Sequence, residues 1–378
     1  MRILANAVNL SSAGGMSVAK NFFENIKNHQ NHTFVLIVPE SCGYEKFEEY
    51  ENVTIHAIGK TWTKYLGRLI FDYFLIKKIL VKEKPDVIFT MGNFAIPTKK
   101  YKQLLFFAWP YAVYPEAIKQ LNFSTKQRLI QYLRLFSFKT RLKYATVISP
   151  QTYVDKERLK NYYSKICKIK VVSNAYTAVE DKQFDKQFDH LKSEKTNLLC
   201  LSRYYVHKNI EILLQVAEQF KERKLPFRII LTLDPADHKN VATILRYISE
   251  KKLTKYIFNI GSLPLESIIP LYKKCDALLL PTLLEAFSTT YADSMNLRKT
   301  ILTSDKGFAH GVCGNAAFYF DPLSAEDITK TILEAYARPS LKEEKLRIGK
   351  KQIESFPDWR EVAQRYISIL EEIGKKVK

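Results

Sequence analysis

The sequence predicts an α/β protein with two parallel-sheet halves, and three observations support this class. Strand-like apolar segments alternate with helix-like segments along the 378 residues, a pattern typical of parallel sheets covered by helices on both faces. A chain of this length also exceeds the size that one hydrophobic core usually serves. Finally, apolar periodicity is interrupted near 174–196 by a segment rich in Asp, Lys and Gln. We therefore expect two domains joined by a linker there.

The elements of the first half follow from apolar runs and helical spacing. Predicted strands cover 1–8, 33–38, 53–58, 86–90, 104–108 and 145–149. Predicted helices include 16–27 and 66–81, and a second α/β series starts at Leu198. The resulting domain prediction is 1–175 for an N-terminal Rossmann-like domain, 176–196 for the linker, 197–357 for a C-terminal Rossmann-like domain and 358–378 for a final helix.

The net charge of +20 and the isoelectric point near 9.5 predict an anionic partner. A nucleic acid is disfavoured, because the chain shows no recognisable reading motif or interleaved aromatic repeat. Residues 118–144 mix Leu and Phe with basic residues, which include Lys126, Arg128, Arg134, Lys139, Arg141 and Lys143. This segment fits either an anionic membrane surface or an ordinary surface helix whose apolar stripe packs on the sheet.

Cellular location is predicted from what the sequence lacks. No apolar run approaches the length of a membrane-spanning helix, and the N-terminus leads directly into a strand without a signal region. We expect a cytoplasmic protein, at most peripheral on a membrane face. The five cysteines have no C-x-x-C pairing and the seven histidines have no metal-ligand spacing, so reduced thiols and no metal or other cofactor are expected.

Two cations occupy one predicted strand-to-helix loop. Residues 198–201 form an apolar strand, and Arg203 and Lys208 follow before a helix that contains Ile210 and Leu213. Ligands of α/β sheets bind outside the carboxyl ends of the strands. Since Arg and Lys both bind phosphate oxygens, the pair suits a diphosphate, although two cations in one loop are unremarkable in so basic a chain.

Two carboxylates flank a second predicted strand-to-helix junction. Glu285 follows the apolar strand 275–280, a helix is predicted to begin near Ser288, and Asp293 lies one to two turns inside it. The start of such a helix offers free N–H groups and a positive dipole end to a phosphate. Taken alone, both acids are equally compatible with solvated loop and helix positions.

Together, in this order, the two segments resemble the family 4 retaining glycosyltransferases with the GT-B fold. Ser202-Arg203 followed by His207-Lys208-Asn209 is similar to the family's Gly-Arg and Glu-Lys-Gly loop. Glu285-Ala-Phe followed by Asp293-Ser-Met resembles its two glutamates separated by seven residues. The resemblance is close in the C-terminal half and holds only in outline in the N-terminal half, through Gly14-Gly15.

The resemblance implies a GT-B fold with two Rossmann-like domains facing a cleft, and a C-terminal helix that packs back on the first domain. It implies catalytic roles for Arg203, Lys208 and Glu285, with Glu285 accepting hydrogen bonds from sugar hydroxyls. The implied donor-binding residues are Gly14, Gly15, Gly261, Ser262, Leu263, Ala286, Phe287, Ser288, Thr289, Thr290 and Asp293. Trp109 and Tyr111 are candidates for the acceptor side. No metal is required, because cations and N–H donors can carry the diphosphate charge.

Three features depart from the family pattern. Asp293 stands where the family usually has Glu, and Gly311 stands where relatives commonly have Glu. Lys306-Gly307 replaces a more usual Leu-Pro, and no histidine follows 104–108, where many relatives have one. The main hypothesis is a retaining hexosyltransferase that uses a UDP- or GDP-sugar and a glycan or polyprenyl-diphosphate-linked acceptor in bacterial surface polysaccharide synthesis at the inner membrane. The alternative is a degenerate transferase that acts as a binding or partner subunit.

Overall fold

The computed structural model describes residues 1–11, 13–63, 65–121, 123–164, 166–176, 188–192 and 194–375. Within these ranges, the strands are β1 (Arg2–Asn6), β2 (Thr33–Pro39), β3 (Val53–Ile58), β4 (Val87–Thr90), β5 (Lys102–Phe107), β6 (Val147–Pro150), β7 (Lys168–Ile169), β8 (Thr196–Cys200), β9 (Phe227–Leu231), β10 (Ile257–Asn259), β11 (Ala277–Leu280), β12 (Thr300–Ser304) and β13 (Ala317–Phe320).

The helices alternate with the strands along most of the chain. They are α1 (Ala13–Ile26), α2 (Tyr65–Ile70), α3 (Ile76–Glu83), α4 (Ala117–Gln120), α5 (Thr125–Arg141), α6 (Tyr153–Tyr162), α7 (Ile212–Glu222), α8 (Lys239–Glu250), α9 (Ile268–Lys273), α10 (Thr289–Asn296), α11 (Gly307–Cys313), α12 (Ala325–Ala337), α13 (Pro339–Ile353) and α14 (Trp359–Gly374). A π-helical turn, Phe71–Leu75, joins α2 to α3, so the helix predicted over 66–81 is part of a longer helical run that ends at Glu83.

The chain divides into two compact units. The first comprises Met1–Ile118, Ser124–Ala175 and Pro357–Lys378, and the second comprises Lys119–Phe123 and Tyr176–Phe356. The predicted linker, 176–196, includes residues 177–187 and 193, which lie outside the described residues. Its boundaries therefore stay a prediction.

The first unit is built on a seven-stranded parallel sheet in the order β3-β2-β1-β4-β5-β6-β7. The central strands read as continuous apolar runs because helices cover both faces of the sheet. Helix α14 packs against this unit through Tyr366, which is 1% exposed. The ring of Tyr366 lies 5.0 Å from that of Phe89, and Phe22 lies 5.1 Å from Phe89 on the same side. The final helix is thus part of the core of the first unit.

The second unit is built on a six-stranded parallel sheet in the order β10-β9-β8-β11-β12-β13. Chain order reverses between the neighbouring strands β8 and β11, because the chain continues from β8 to β9 on one side and from β11 to β12 on the other. This is the topological switch point of the sheet, where open α/β sheets bind ligands. The predicted α/β class is confirmed in both units. No helix in the described part of the chain is long and apolar enough to cross a lipid bilayer.

Candidate functional site

The switch point of the second sheet brings together the two loops that carry the predicted site. Strand β8 leads into the loop with Arg203 and Lys208, and strand β11 leads into the loop with Glu285. The strands are neighbours, with Ala277 opposite Leu198 in the parallel ladder. Residues that are far apart in sequence therefore meet at one edge of the sheet.

Lys208 and Glu285 form a direct ion pair at this edge, between Nζ and Oε1. Both side chains are largely covered, with 14% and 13% of their surface exposed. An ion pair that is partly withdrawn from water is screened less than one at the surface. The pair holds one cation and one anion side by side at the end of β8 and β11.

Arg203 is held by an acid that the sequence did not single out. Its Nη2 lies 2.9 Å from Asp237 Oδ1, and its Nε donates to Asp237 Oδ2 at 3.2 Å. Asp237 follows β9 in the next loop along the same edge. With 44% of the Arg203 side chain exposed, the guanidinium is fixed in direction and remains accessible from solvent.

Asn209 ties three strand-end loops together. Its backbone adopts the left-handed conformation, with φ of 55°, and its Nδ2 donates to Pro281 O at 3.2 Å and Pro322 O at 2.7 Å. Leu283 N also donates to His207 O at 2.7 Å. These bonds fix the position of the Lys208 backbone relative to the loop that carries Glu285.

Replacing Asn209 is expected to loosen this junction. Asn209→Ala removes both side-chain hydrogen bonds and leaves the carbonyls of two buried prolines without that donor. It also places alanine in a left-handed backbone conformation, which is strained. Together, these effects should lower the free energy of unfolding by about 2 kcal/mol. Asn209→Gly removes the bonds but tolerates the backbone, so it should lose less. Chemical denaturation of the three proteins measures this, and a glycine variant as stable as wild type would show that the bonds contribute nothing.

His207, between the two cations, adds no charge at neutral pH. Burial and the adjacent Lys208 lower the pKa of its imidazole to about 4, and Glu285 acts in the opposite direction. The ring stacks on that of Tyr205, with centroids 5.4 Å apart. The positive charge available to an anionic ligand here therefore belongs to Arg203 and Lys208.

Helix α10 begins at the same edge, with Ser288 as its N-cap residue, as the sequence predicted. Its first turn contains Thr289 and Thr290 and presents backbone N–H groups that lack partners within the helix. The Ser288 and Thr290 hydroxyl oxygens lie 2.8 Å apart. Ala286 is buried and Phe287, half-buried, has its ring 6.1 Å from that of Phe356. The loop thus positions both a hydroxyl pair and the helix terminus.

Asp293 lies one turn further along α10 and is only 4% exposed. Burial, followed by the nearby Asp293 carboxylate, raises the pKa of the Tyr272 phenol well above its ordinary value. The Tyr272 hydroxyl donates to Thr290 O at 3.2 Å. Asp293 is therefore part of a packed arrangement behind the helix start.

The remaining residues predicted for the donor lie on other loops. Gly261 follows β10 and has a φ of 84°, a backbone conformation that favours glycine. An added Cβ would meet no atom within 4 Å, so the backbone conformation, and not crowding, explains the glycine. Ser262 beside it is exposed and Leu263 is half-buried. In the first unit, Gly14 and Gly15 form the first turn of α1, and a Cβ at Gly15 would meet Leu10 Cδ2 at 3.0 Å.

The two residues predicted for the acceptor side lie inside an aromatic cluster of the first unit. Trp109 is 5% exposed and Tyr111 is 9% exposed. The Trp109 ring lies 5.4 Å from Phe94 and 5.9 Å from Phe138, and the Arg134 guanidinium lies 4.9 Å above it. These contacts give Trp109 a packing role, and the ring centroids of Trp109 and Tyr111 are 6.3 Å apart. The acceptor-side role of both residues stays a prediction.

Sequence reasoning missed Asp237 and the structural role of Asn209. Asp237 had no local signal, since its pairing with Arg203 depends on the neighbouring positions of β8 and β9. Asn209 did carry one, because asparagine is enriched at left-handed positions. Among the described residues, no group of three His, Cys, Asp or Glu side chains could hold a metal ion.

Comparison with known proteins agrees with this geometry. Residues 181–354 match the model of the family Glycosyl transferases group 1, a range that contains Arg203, Lys208 and Glu285. No curated protein matches the sequence significantly.

Solved structures match nearly the whole chain. Sucrose-phosphate synthase from Thermosynechococcus elongatus is similar with a TM-score of 0.79 at 15% identity over 98% of both chains. WaaG, a glycosyltransferase involved in lipopolysaccharide biosynthesis, gives 0.74 at 12% identity over 98% of this chain and 99% of that one. Anabaena HepE in complex with UDP-glucose gives 0.73 at 14% identity, over 98% and 100% respectively. The predicted GT-B fold is confirmed, whereas the assignment to the family 4 retaining enzymes stays a prediction.

Proposed function

We propose that this protein is a glycosyltransferase that transfers a sugar from a nucleoside diphosphate sugar to a hydroxyl acceptor with retention of anomeric configuration. The observation that carries the proposal is the meeting of Arg203, Lys208 and Glu285 at the switch point of the second sheet. Two cations, one acid and a helix N-terminus at a single strand edge suit a ligand with a diphosphate at one end and hydroxyl groups at the other.

Each side chain has a role in the proposed reaction. The bond between the anomeric carbon and the diphosphate oxygen breaks, and its electron pair goes to that oxygen. Arg203, Lys208 and the N–H groups of the α10 first turn stabilise the charge that develops there. The acceptor hydroxyl forms the new bond on the same face of the sugar, and its proton passes to the leaving diphosphate. Glu285 accepts hydrogen bonds from the sugar hydroxyls and orients the ring.

The present ion pairs fit this cycle. Lys208 pairs with Glu285 and Arg203 pairs with Asp237, so each cation has a carboxylate partner before a ligand binds. A diphosphate would draw Lys208 away from Glu285 and would replace one of the two contacts between Arg203 and Asp237. Asp237 would then continue to orient Arg203 through one of the two contacts, because the guanidinium has donors on several sides.

The donor we propose is a UDP- or GDP-sugar that carries a hexose, bound without a metal ion. Support for a uridine nucleotide comes from HepE, whose structure is a complex with UDP-glucose. We propose a glycan or polyprenyl-diphosphate-linked acceptor in bacterial surface polysaccharide synthesis at the cytoplasmic face of the membrane. Its support is the net charge of +20 and the similarity to WaaG.

Ligand-induced thermal stabilisation tests the proposal. UDP, GDP, ADP, CMP and dTDP, alone and as sugar conjugates, are added to wild type, to Arg203→Ala and to a control, Arg246→Ala, in which an exposed arginine of α8 is removed. A ligand at 100 times its dissociation constant adds about 2.7 kcal/mol. One nucleotide class should stabilise wild type and the control but not Arg203→Ala.

Two results would contradict the proposal in different ways. If none of the nucleotides shifts the wild type, the site does not bind a nucleoside diphosphate. If a nucleotide binds but its sugar conjugate is never consumed with any glycan or polyprenyl-linked acceptor, the protein is instead a binding or partner subunit.

A further inference from the structure

The main apolar stripe of helix α5 faces solvent. Leu129, Leu133 and Phe136 are 59%, 60% and 68% exposed, and with Tyr132 they recur at the i, i+3, i+4 and i+7 spacing of one helix face. The opposite side of α5 buries Phe138 and Arg141 instead. A surface helix of a soluble protein normally turns such a stripe inward. The sequence left open whether this stripe packs on the sheet, and the structure shows that it does not.

A second exposed apolar stripe lies on the helical run from α2 through the π-helical turn. Leu69, Ile70, Tyr73 and Phe74 are 43%, 45%, 39% and 66% exposed. The run turns its other side inward through Phe71. Exposed apolar residues scattered singly need no explanation, but two adjacent helical stripes form the kind of patch that marks an interaction surface.

A buried ion pair joins the two helical segments that carry these stripes. The Arg141 guanidinium at the end of α5 pairs with Asp72, in the π-helical turn, and both side chains are 2% exposed. Arg68 Nε also donates to Asp72 at 2.8 Å, and the Arg141 guanidinium lies 5.0 Å from the Tyr73 ring centroid. Phe136 precedes Arg141 by five residues, about 7.5 Å along the helix. The two helical segments therefore meet at one junction of the first unit, and we call their exposed stripes together the two-helix surface.

The exposed charges on the two segments that carry the two-helix surface have one sign. Between 65–83 and 125–143 the only acids are Asp72 and Glu83, and both are buried in ion pairs with cations. The exposed cations of these segments include Lys77, Lys78, Lys82, Lys126, Arg128, Lys139 and Lys143. Apolar side chains surrounded by cations, without an exposed acid, complement a surface that is apolar inside and anionic outside.

We propose that the two-helix surface docks this protein on a bilayer that contains anionic phospholipids. The exposed Leu, Ile, Tyr and Phe side chains enter the boundary between headgroups and acyl chains, and the lysines contact the phosphates. A second copy of the chain is a poorer occupant, because it brings the same cations against these cations. Docking concerns where the protein works, and it holds whether or not the proposed transfer reaction does.

Vesicle co-sedimentation of the full chain, without donor or acceptor, tests the docking surface. Vesicles of phosphatidylcholine alone are compared with vesicles containing phosphatidylglycerol. Wild type should bind the anionic vesicles and release them as salt rises. Lys126→Gln/Lys139→Gln should weaken binding by about tenfold or more, since each lysine near an anionic leaflet contributes about fivefold. Leu133→Ser/Phe136→Ser should also weaken binding by about tenfold or more, because it removes apolar side chains that enter the headgroup boundary.

Matched controls are available in the second unit. Leu323→Ser removes an apolar side chain that is 66% exposed. Lys350→Gln/Lys351→Gln removes two exposed lysines near the end of α13 and changes the total charge as much as Lys126→Gln/Lys139→Gln does. Both controls should bind like wild type. Equal loss in control and test variants would show a non-specific charge effect and overturn the proposal, as would no binding to anionic vesicles. Self-association of wild type without lipid, lost in Leu133→Ser/Phe136→Ser, would assign the surface to a second copy instead.

Discussion

Alanine in place of Lys208 is expected to lower the turnover of the donor sugar by about 100- to 1000-fold. The Lys208 ammonium is the covered cation of the switch point, with 14% of its side chain exposed, and a charge in such a place acts more strongly on a developing anion than one in open water. Release of nucleoside diphosphate from the donor identified by thermal stabilisation measures the effect. The loss should fall mainly on kcat, because the charge it stabilises grows in the transition state.

Removal of Lys208 also leaves Glu285 without its ion-pair partner, so stability must be separated from chemistry. The matched control is Lys330→Ala, which removes an exposed lysine of α12 and should keep full activity. Lys208→Ala should retain the cooperative unfolding transition of the wild type. A folded Lys208→Ala protein with turnover within threefold of wild type would exclude Lys208 from the reaction.

The sequence predicted that the candidate-site residues lie at one edge of the sheet, because these residues follow apolar strands. Arg203 and Lys208 come directly after β8, and Glu285 comes directly after β11. In a parallel sheet, the carboxyl ends of all strands lie on one edge, so these residues had to share that edge. The direct contact of Lys208 with Glu285 needed the strand order, in which β8 and β11 are neighbours.

Contacts that depend on strand order could not be predicted in the same way. Asp237 reaches Arg203 because β9 flanks β8 on its other side, and no local pattern marks that aspartate. Burial of Trp109 likewise depends on Phe94 and Phe138, which come from different elements. Long-range packing partners are fixed by the assembled sheet and leave no periodic trace in the sequence.

Strand prediction was most accurate where apolar runs are bounded by polar residues. The strand predicted over 53–58 matches β3, and that over 33–38 falls one residue short of β2. For α5, helical periodicity correctly identified an apolar stripe but could not tell which side of the helix faces the sheet. The orientation came from Arg141, whose buried pairing with Asp72 turns Leu129 and Phe136 outward.

Asp155 is expected to make the stability of the protein depend on pH. Its side chain, near the start of α6, is fully buried. Burial raises the pKa of its carboxyl to about 7, while the Thr152 hydroxyl and Arg158 act in the opposite direction. The folded state holds the Asp155 proton more tightly than the unfolded chain does. The contribution of Asp155 to the free energy of unfolding is therefore highest below the ordinary aspartate pKa and falls as pH rises towards 7. Above that range, the effect on stability stays constant.

The difference between wild type and Asp155→Asn isolates this effect. A shift from 3.8 to about 7 corresponds to about 4 kcal/mol of unfolding free energy, so Asp155→Asn should gain on wild type by up to about that amount between pH 4.5 and 8. Other titrating groups are common to both proteins and cancel. Glu157→Gln, which removes an exposed acid of the same helix, is the control and should follow the wild-type profile. Denaturant unfolding across this range measures the differences, and parallel profiles for wild type and Asp155→Asn would mean that Asp155 is ionised in the folded protein at neutral pH.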